Sequence, residues 1–168
     1  SAAVTVSTSI TTSYTGGLVG DASGTISSSS ASGNVTGGAR VGGLVGSFLG
    51  SSLTDVSASG DVTSTTTSAD VGGLVGYAQS NGGTLTNSFA TGNVSAAANA
   101  NSVGGLVGEF LMTGGISSVT AGSTNSTVSG GNYTGGVLGF TNNSSTTSFT
   151  HNAADTTLAQ FDFLGSSV

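Results

Sequence analysis

"VGGLVG" runs from Val41 to Gly46, returns unchanged at Val71–Gly76, and returns again at Val103–Gly108. "TGGLVG" precedes the series at Thr15, and "TGGVLG" closes it at Thr134. The first glycine of each pair falls at 16, 42, 72, 104 and 135, so the intervals are 26, 30, 32 and 31 residues. Self-similarity at such a period is the mark of a stacked architecture, in which the box is one rung of a ladder rather than a site used five times.

A second block follows each box, as "TISSSSASGNVT" (Thr25–Thr36), "SLTDVSASGDVT" (Ser52–Thr63) and "TLTNSFATGNVS" (Thr84–Ser95). Counting from Ile26, Leu53 or Leu85, Ala comes at +5, Gly at +7, Asn or Asp at +8 and Val at +9 in all three. The fourth copy keeps Ile116 and Ala121, then drifts, with its valine delayed to Val128. Each period thus holds three short β-like runs separated by Gly, Asn and Ser, which is turn chemistry. Helical spacing is absent, and glycine this dense would cost a helix about 1 kcal/mol at each position. Runs this short cannot stand alone as sheets. Stacking them coil on coil lets each strand pair with its own copy about 4.8 Å away. The expectation is an all-β parallel β-helix or β-solenoid, with three strands per coil and about four to five coils.

In that architecture three aliphatic ladders form the interior: Leu18, Leu44, Leu74, Leu106 and Val137; Ile26, Leu53, Leu85 and Ile116; Val35, Val62 and Val94. The pairs Gly16–Gly17, Gly42–Gly43, Gly72–Gly73, Gly104–Gly105 and Gly135–Gly136, with Gly33, Gly60 and Gly92, are read as structural turn glycines. The physical reason assigned to them is the ease with which Gly takes φ > 0. Residues 1–13 read as an incomplete first coil, 14–140 as the repeats, and 141–168 as a divergent coil or a capping or assembly segment.

The "GGLVG" box followed by "GTI-S---A-GNV" closely resembles the GLUG repeat, a family found in bacterial surface adhesins and in IgA-peptidase-like surface proteins. The resemblance covers about residues 14 to 140. It implies an extracellular, microbial β-solenoid on a cell surface. It does not carry peptidase activity, because the zinc-binding "HExxH" is absent and His151 stands alone.

Composition narrows the function classes. Arg40 is the sole Lys or Arg and the net charge is −6, which disfavours nucleic acid and anionic membrane as partners. No apolar run approaches the roughly 20 residues that span a bilayer. Without cysteine, neither a disulfide framework nor a thiolate metal site is available. Ser and Thr number 31 and 26 among 168 residues, so hydroxyls, not charges, keep the faces soluble.

No column offers evident catalytic chemistry, and no enzyme activity, metal or cofactor is expected. Asp21 and Glu109 occupy equivalent positions three coils apart, roughly 14 Å at one strand spacing per coil, beyond the range of a glycosidase carboxylate pair. Arg40 and Asp70 each precede a glycine pair by two residues, so stacking should bring them together as a surface ion pair worth under about 1 kcal/mol. Asn34, Asn93, Asn125, Asn132, Asn142 and Asn143 head Asn-x-Ser/Thr sequons and are candidate glycosylation sites. Tyr14, Tyr133, Phe89 and Phe110 are candidates either for stacking on glycans or for capping the core.

Three functional readings follow. The first is a non-catalytic stalk or adhesive module whose partner is a host or surface glycan or protein. The second is a subunit of an extracellular filament, a homopolymer joined head to tail through open β edges. The third is an ice-binding solenoid, since Thr25/Ser27, Ser52/Thr54 and Thr84/Thr86 flank inward aliphatics and form outward hydroxyl columns.

Overall fold

The computed structural model describes residues 3–81, 84–114, 119–123, 127–141, 149–150 and 166–167. The chain winds as a β-solenoid with four parallel sheets as its walls. The first wall stacks Val6–Ser7, Val35–Gly37, Val62–Ser64, Val94–Ala96 and Val128–Ser129. The second stacks Tyr14–Gly16, Arg40–Gly42, Asp70–Gly72, Ser102–Gly104 and Tyr133–Gly135 in parallel, with Ser166–Ser167 added antiparallel at its edge. Val19–Ala22, Val45–Phe48, Val75–Asn81, Val107–Gly114 and Leu138–Thr141 make the third. The fourth is Thr25–Ala31, Ser52–Ala58, Thr84–Ala90, Val119–Ser123 and Phe149–Thr150.

Copies sit directly on copies. Val41 pairs with Val71 and Val71 with Val103, while Val35, Val62, Val94 and Val128 follow one another on the first wall. The Leu44 N–H donates to the Leu74 carbonyl at 2.9 Å, and Leu74 to Leu106 at 2.8 Å. The box supplies two strands, because its second glycine and leucine turn a corner between the second and third walls. Each coil therefore has four short strands where the spacing suggested three runs.

The glycines of the box are required for room and not for φ. Among the described residues the positive-φ glycines are Gly24, Gly130 and Gly131, and none of the thirteen turn glycines is among them. A Cβ on Gly42 would stand 2.0 Å from the Val45 carbonyl oxygen. One on Gly43 would stand 2.2 Å from Gly73 O in the next coil and 2.8 Å from the Ala58 methyl carbon. Gly60 and Gly92 meet the preceding coil in the same way, at 2.1 and 2.0 Å from the oxygens of Gly33 and Gly60. The invariant Ala at +5 has its reason here too. Ala31, Ala58 and Ala90 face Gly17, Gly43 and Gly73 across a waist too narrow for any larger pair.

That waist lies between two apolar clusters. One gathers Leu44, Leu53, Val56, Leu74, Leu85, Leu106 and their neighbours; the other gathers Val35, Val41, Val62, Val71, Val94 and Val103. Burying such side chains is worth about 1.5–3 kcal/mol each.

On the fourth wall the chain bends at Ser28, Asp55 and Asn87, whose φ values are 47°, 55° and 49°. These left-handed residues break the in–out alternation, so Leu53 and Val56, three apart, both point inward. Asn and Asp tolerate this conformation better than other non-glycine residues. In two coils the second inward position is Ser29 or Ser88, and each hydroxyl donates to the carbonyl two residues back at 2.8 Å. Ser88 is thereby buried without an orphaned hydroxyl.

Two expected core positions differ. Leu18 is 39% exposed and Ile26 half-buried, because the first rung has described neighbours on one side only. In the fourth copy Val119, not Ile116, is the register partner of Leu85; Ile116 lies outside the described residues.

Candidate functional site

Three outward features could carry function. The first is a turn ladder between the fourth and first walls. The Asp61 N–H donates to Asn34 Oδ1 at 3.0 Å, the Asn93 N–H to Asp61 Oδ1 at 2.9 Å, and the Thr127 N–H to Asn93 Oδ1 at 3.1 Å. Each side chain satisfies the backbone of the next coil. Two sequons belong to this ladder. Asn34 and Asn93 are exposed, but Asn93 Nδ2 donates to Asp61 Oδ1 at 3.1 Å, a hydrogen bond that a glycan would disturb. Asn132 is exposed, whereas Asn125, Asn142 and Asn143 lie outside the described residues, as does His151.

The second feature is the hydroxyl surface of the fourth wall. Ser52 lies within hydrogen-bonding distance of both Thr54 at 3.0 Å and Thr84 at 2.9 Å, and Thr25 Oγ1 lies 3.3 Å from Ser51 Oγ. These hydroxyls bond one another across rungs, which uses donor capacity that a regular ice-facing lattice would need. Phe89 stands 50% exposed on the same wall and interrupts its plane. Phe110, by contrast, is buried.

The third feature lies along the outer corner of the box. There the second-wall residue of one coil meets the third-wall residue of the next coil. Arg40 makes this diagonal step to Tyr77, its guanidinium carbon 3.6 Å from the ring centroid, and it also lies 4.7 Å from the Tyr14 centroid. Arg40 Nη1 donates to the buried Ser47 Oγ at 3.3 Å. The same step one coil on brings Asp70 against Glu109.

Asp70 and Arg40 are register partners as the spacing predicted, but the contact is not a surface ion pair. Asp70 is only 6% exposed, and the guanidinium is turned onto the two tyrosines and Ser47. Burial, followed by the charge and hydrogen bonding of Glu109, pushes the Asp70 carboxyl up to about 8, against the opposing pull of Arg40 and of the Asn101 hydrogen bond. Although Glu109 and Asn101 engage the carboxyl, its Oδ1 is buried with no hydrogen-bond partner. Burial likewise raises the Tyr77 phenol. Sequence spacing missed Asp70–Glu109 because the two belong to different columns. Only the diagonal between walls joins them.

Among the described residues no three His, Cys, Asp or Glu side chains converge on a point, and no helix is long and apolar enough to cross a membrane. An interior void lined by Phe48, Leu53, Val75, Ala78, Leu85 and Phe110 measures about 10 Å³, barely the space for one water. The GLUG motif matches residues 37–63 and 67–95, two consecutive stretches on neighbouring coils. Coils of the same build continue on either side of them, from Tyr14 to Ala31 and from Ser102 to Gly104. No curated protein and no solved structure matches the chain.

Proposed function

From the GLUG motif carried at residues 37–63 and 67–95, we propose a non-catalytic adhesive or stalk module of a microbial cell-surface protein, working outside the cell. One observation carries this reading: box and second block stack in register through consecutive coils, giving a rod with an apolar interior and hydroxyl-rich outer walls. A rod of repeats transmits position and presents a long surface, which is what a stalk or an adhesive surface requires. Its partner is a glycan or protein on a host or neighbouring surface. The test is display of the chain on an otherwise non-adherent cell. Retention on a glycan array or on host-cell monolayers above the display control supports adhesion. Retention equal to the control, with turnover of a glycan substrate, would replace it by catalysis.

A head-to-tail fibre is the second reading, because the walls grow by parallel pairing of copy on copy and a further copy could add in the same way. Ser166–Ser167 speaks against it at one end. It pairs antiparallel with Tyr133–Thr134 and so occupies one edge that an incoming copy would need. Negative-stain microscopy separates the two, with short single rods expected for a stalk and long fibres for an assembling subunit.

A further inference from the structure

The Asp70–Glu109 contact has an unusual construction. Register fixes the Asp70 backbone between Arg40 and Ser102, and that of Glu109 between Tyr77 and Phe140, so neither strand can withdraw from the other without breaking ladder hydrogen bonds. Asp70 is buried and Glu109 half-buried, so water screens their charges poorly on the inner side and reaches them on the outer. The ionisable groups facing Asp70 are Arg40 on its own wall, and Tyr77 and Glu109 on the third wall; Tyr14 lies beyond Arg40. Only Arg40 is cationic, and it is committed to Tyr77, Tyr14 and Ser47. Two carboxylates and one diverted cation leave an unbalanced negative charge at a place that solvent barely reaches. A carboxylic acid there can donate to its neighbour, while a second carboxylate can only repel it.

We propose that Asp70 and Glu109 form a proton-operated latch between the third and fourth coils: one shared proton holds the two coils together, and its loss loosens them. The proton leaves to water on the Glu109 side, and no other bond is made or broken. The group's affinity for the proton supports this direction. A carboxyl raised from 3.8 when unfolded to about 8 in the folded rod contributes stability that is fully present below the unfolded value and is lost as pH rises through the folded one. Between those limits one such group changes the unfolding equilibrium constant by up to about tenfold per pH unit. A metal ion is the weaker candidate for the missing positive charge, since no third acid converges among the described residues and Arg40 already stands nearby.

The experiment is urea unfolding of the full chain from pH 5 to 9.5, for wild type, Asp70→Asn and Glu109→Gln. The wild-type unfolding constant, divided by that of Asp70→Asn, is expected to rise at least tenfold in total between pH 5 and 8 and to level off above it. The carboxyl carbon resonance of Asp70, followed in the wild type, is expected to titrate above pH 6.5 and to shift to lower pH in Glu109→Gln. Parallel pH profiles for wild type and both variants, or an Asp70 midpoint below pH 5, would overturn the latch. So would a saturable rise of the urea midpoint with calcium that Asp70→Asn abolishes, because a metal would then stand where the proton is placed. Should Asp70→Asn fail to fold, the wild-type resonance and Glu109→Gln still decide.

Discussion

The first and third coils spell the same box, yet Leu18 is 39% exposed and Leu74 is wholly buried. Gly73 and Gly136 hold the same place in their boxes. A methyl on Gly73 would stand 2.2 Å from the Gly105 carbonyl oxygen, whereas one on Gly136 would have no atom of the described residues within 4 Å. The motif therefore specifies how a coil turns, and the neighbouring coil specifies what that turn is worth. Identical residues carry different energies according to what the neighbouring coil brings against them.

The sharpest way to break this comparison is Gly73→Ala beside Gly136→Ala. The first forces a methyl into backbone on the next rung, and a loss above about 4 kcal/mol, the exceptional range for one substitution, is expected as failure to give a cooperative thermal transition. The second is expected within about 0.5 kcal/mol of wild type. Equal effects would mean that glycine acts here through chain flexibility alone. Next comes Leu74→Ala, for which urea unfolding should register about 2–5 kcal/mol, with Leu18→Ala costing less than half as much.

The bends of the fourth wall rank third. Asn87→Val places a β-branched residue at φ 49° and should cost about 1–3 kcal/mol, while Asn87→Gly restores most of it despite losing the contact of Asn87 Nδ2 with Asp55 Oδ1. A calorimetric melting series of the two variants reads the difference. A smaller loss is expected for Asp61→Ala. It removes the acceptor for the Asn93 N–H at an exposed turn, about 0.5–1.5 kcal/mol, and should appear first as faster amide exchange at Asn93.

Much of this was legible from residue order, for a definite reason. In a stacked coil the register partner of any residue is its own copy, so Leu44 over Leu74 and Val62 over Val94 follow from counting. Contacts along the rod are therefore readable. Contacts around it are not. The diagonal from Asp70 to Glu109 joins different columns, and only the closeness of two walls at a glycine corner creates it. The bends at Ser28, Asp55 and Asn87 had a signal, the Asp and Asn at one offset, but the outward position of a polar residue explained them equally well. The drifted fourth copy misled for another reason: counting from Ile116 cannot reveal that Val119 is the residue seated on Leu85.

The box also has a consequence for variation in length and dress. The position two before the glycine pair holds Tyr14, Arg40, Asp70, Ser102 and Tyr133 in turn, while the glycines behind it never change. Fixed hinges and interchangeable ornaments make the molecule modular. Excising residues 72–103 would set Val71 directly before Gly104 and rejoin like to like. The product should be the same object one storey lower, shortened by about 4.8 Å.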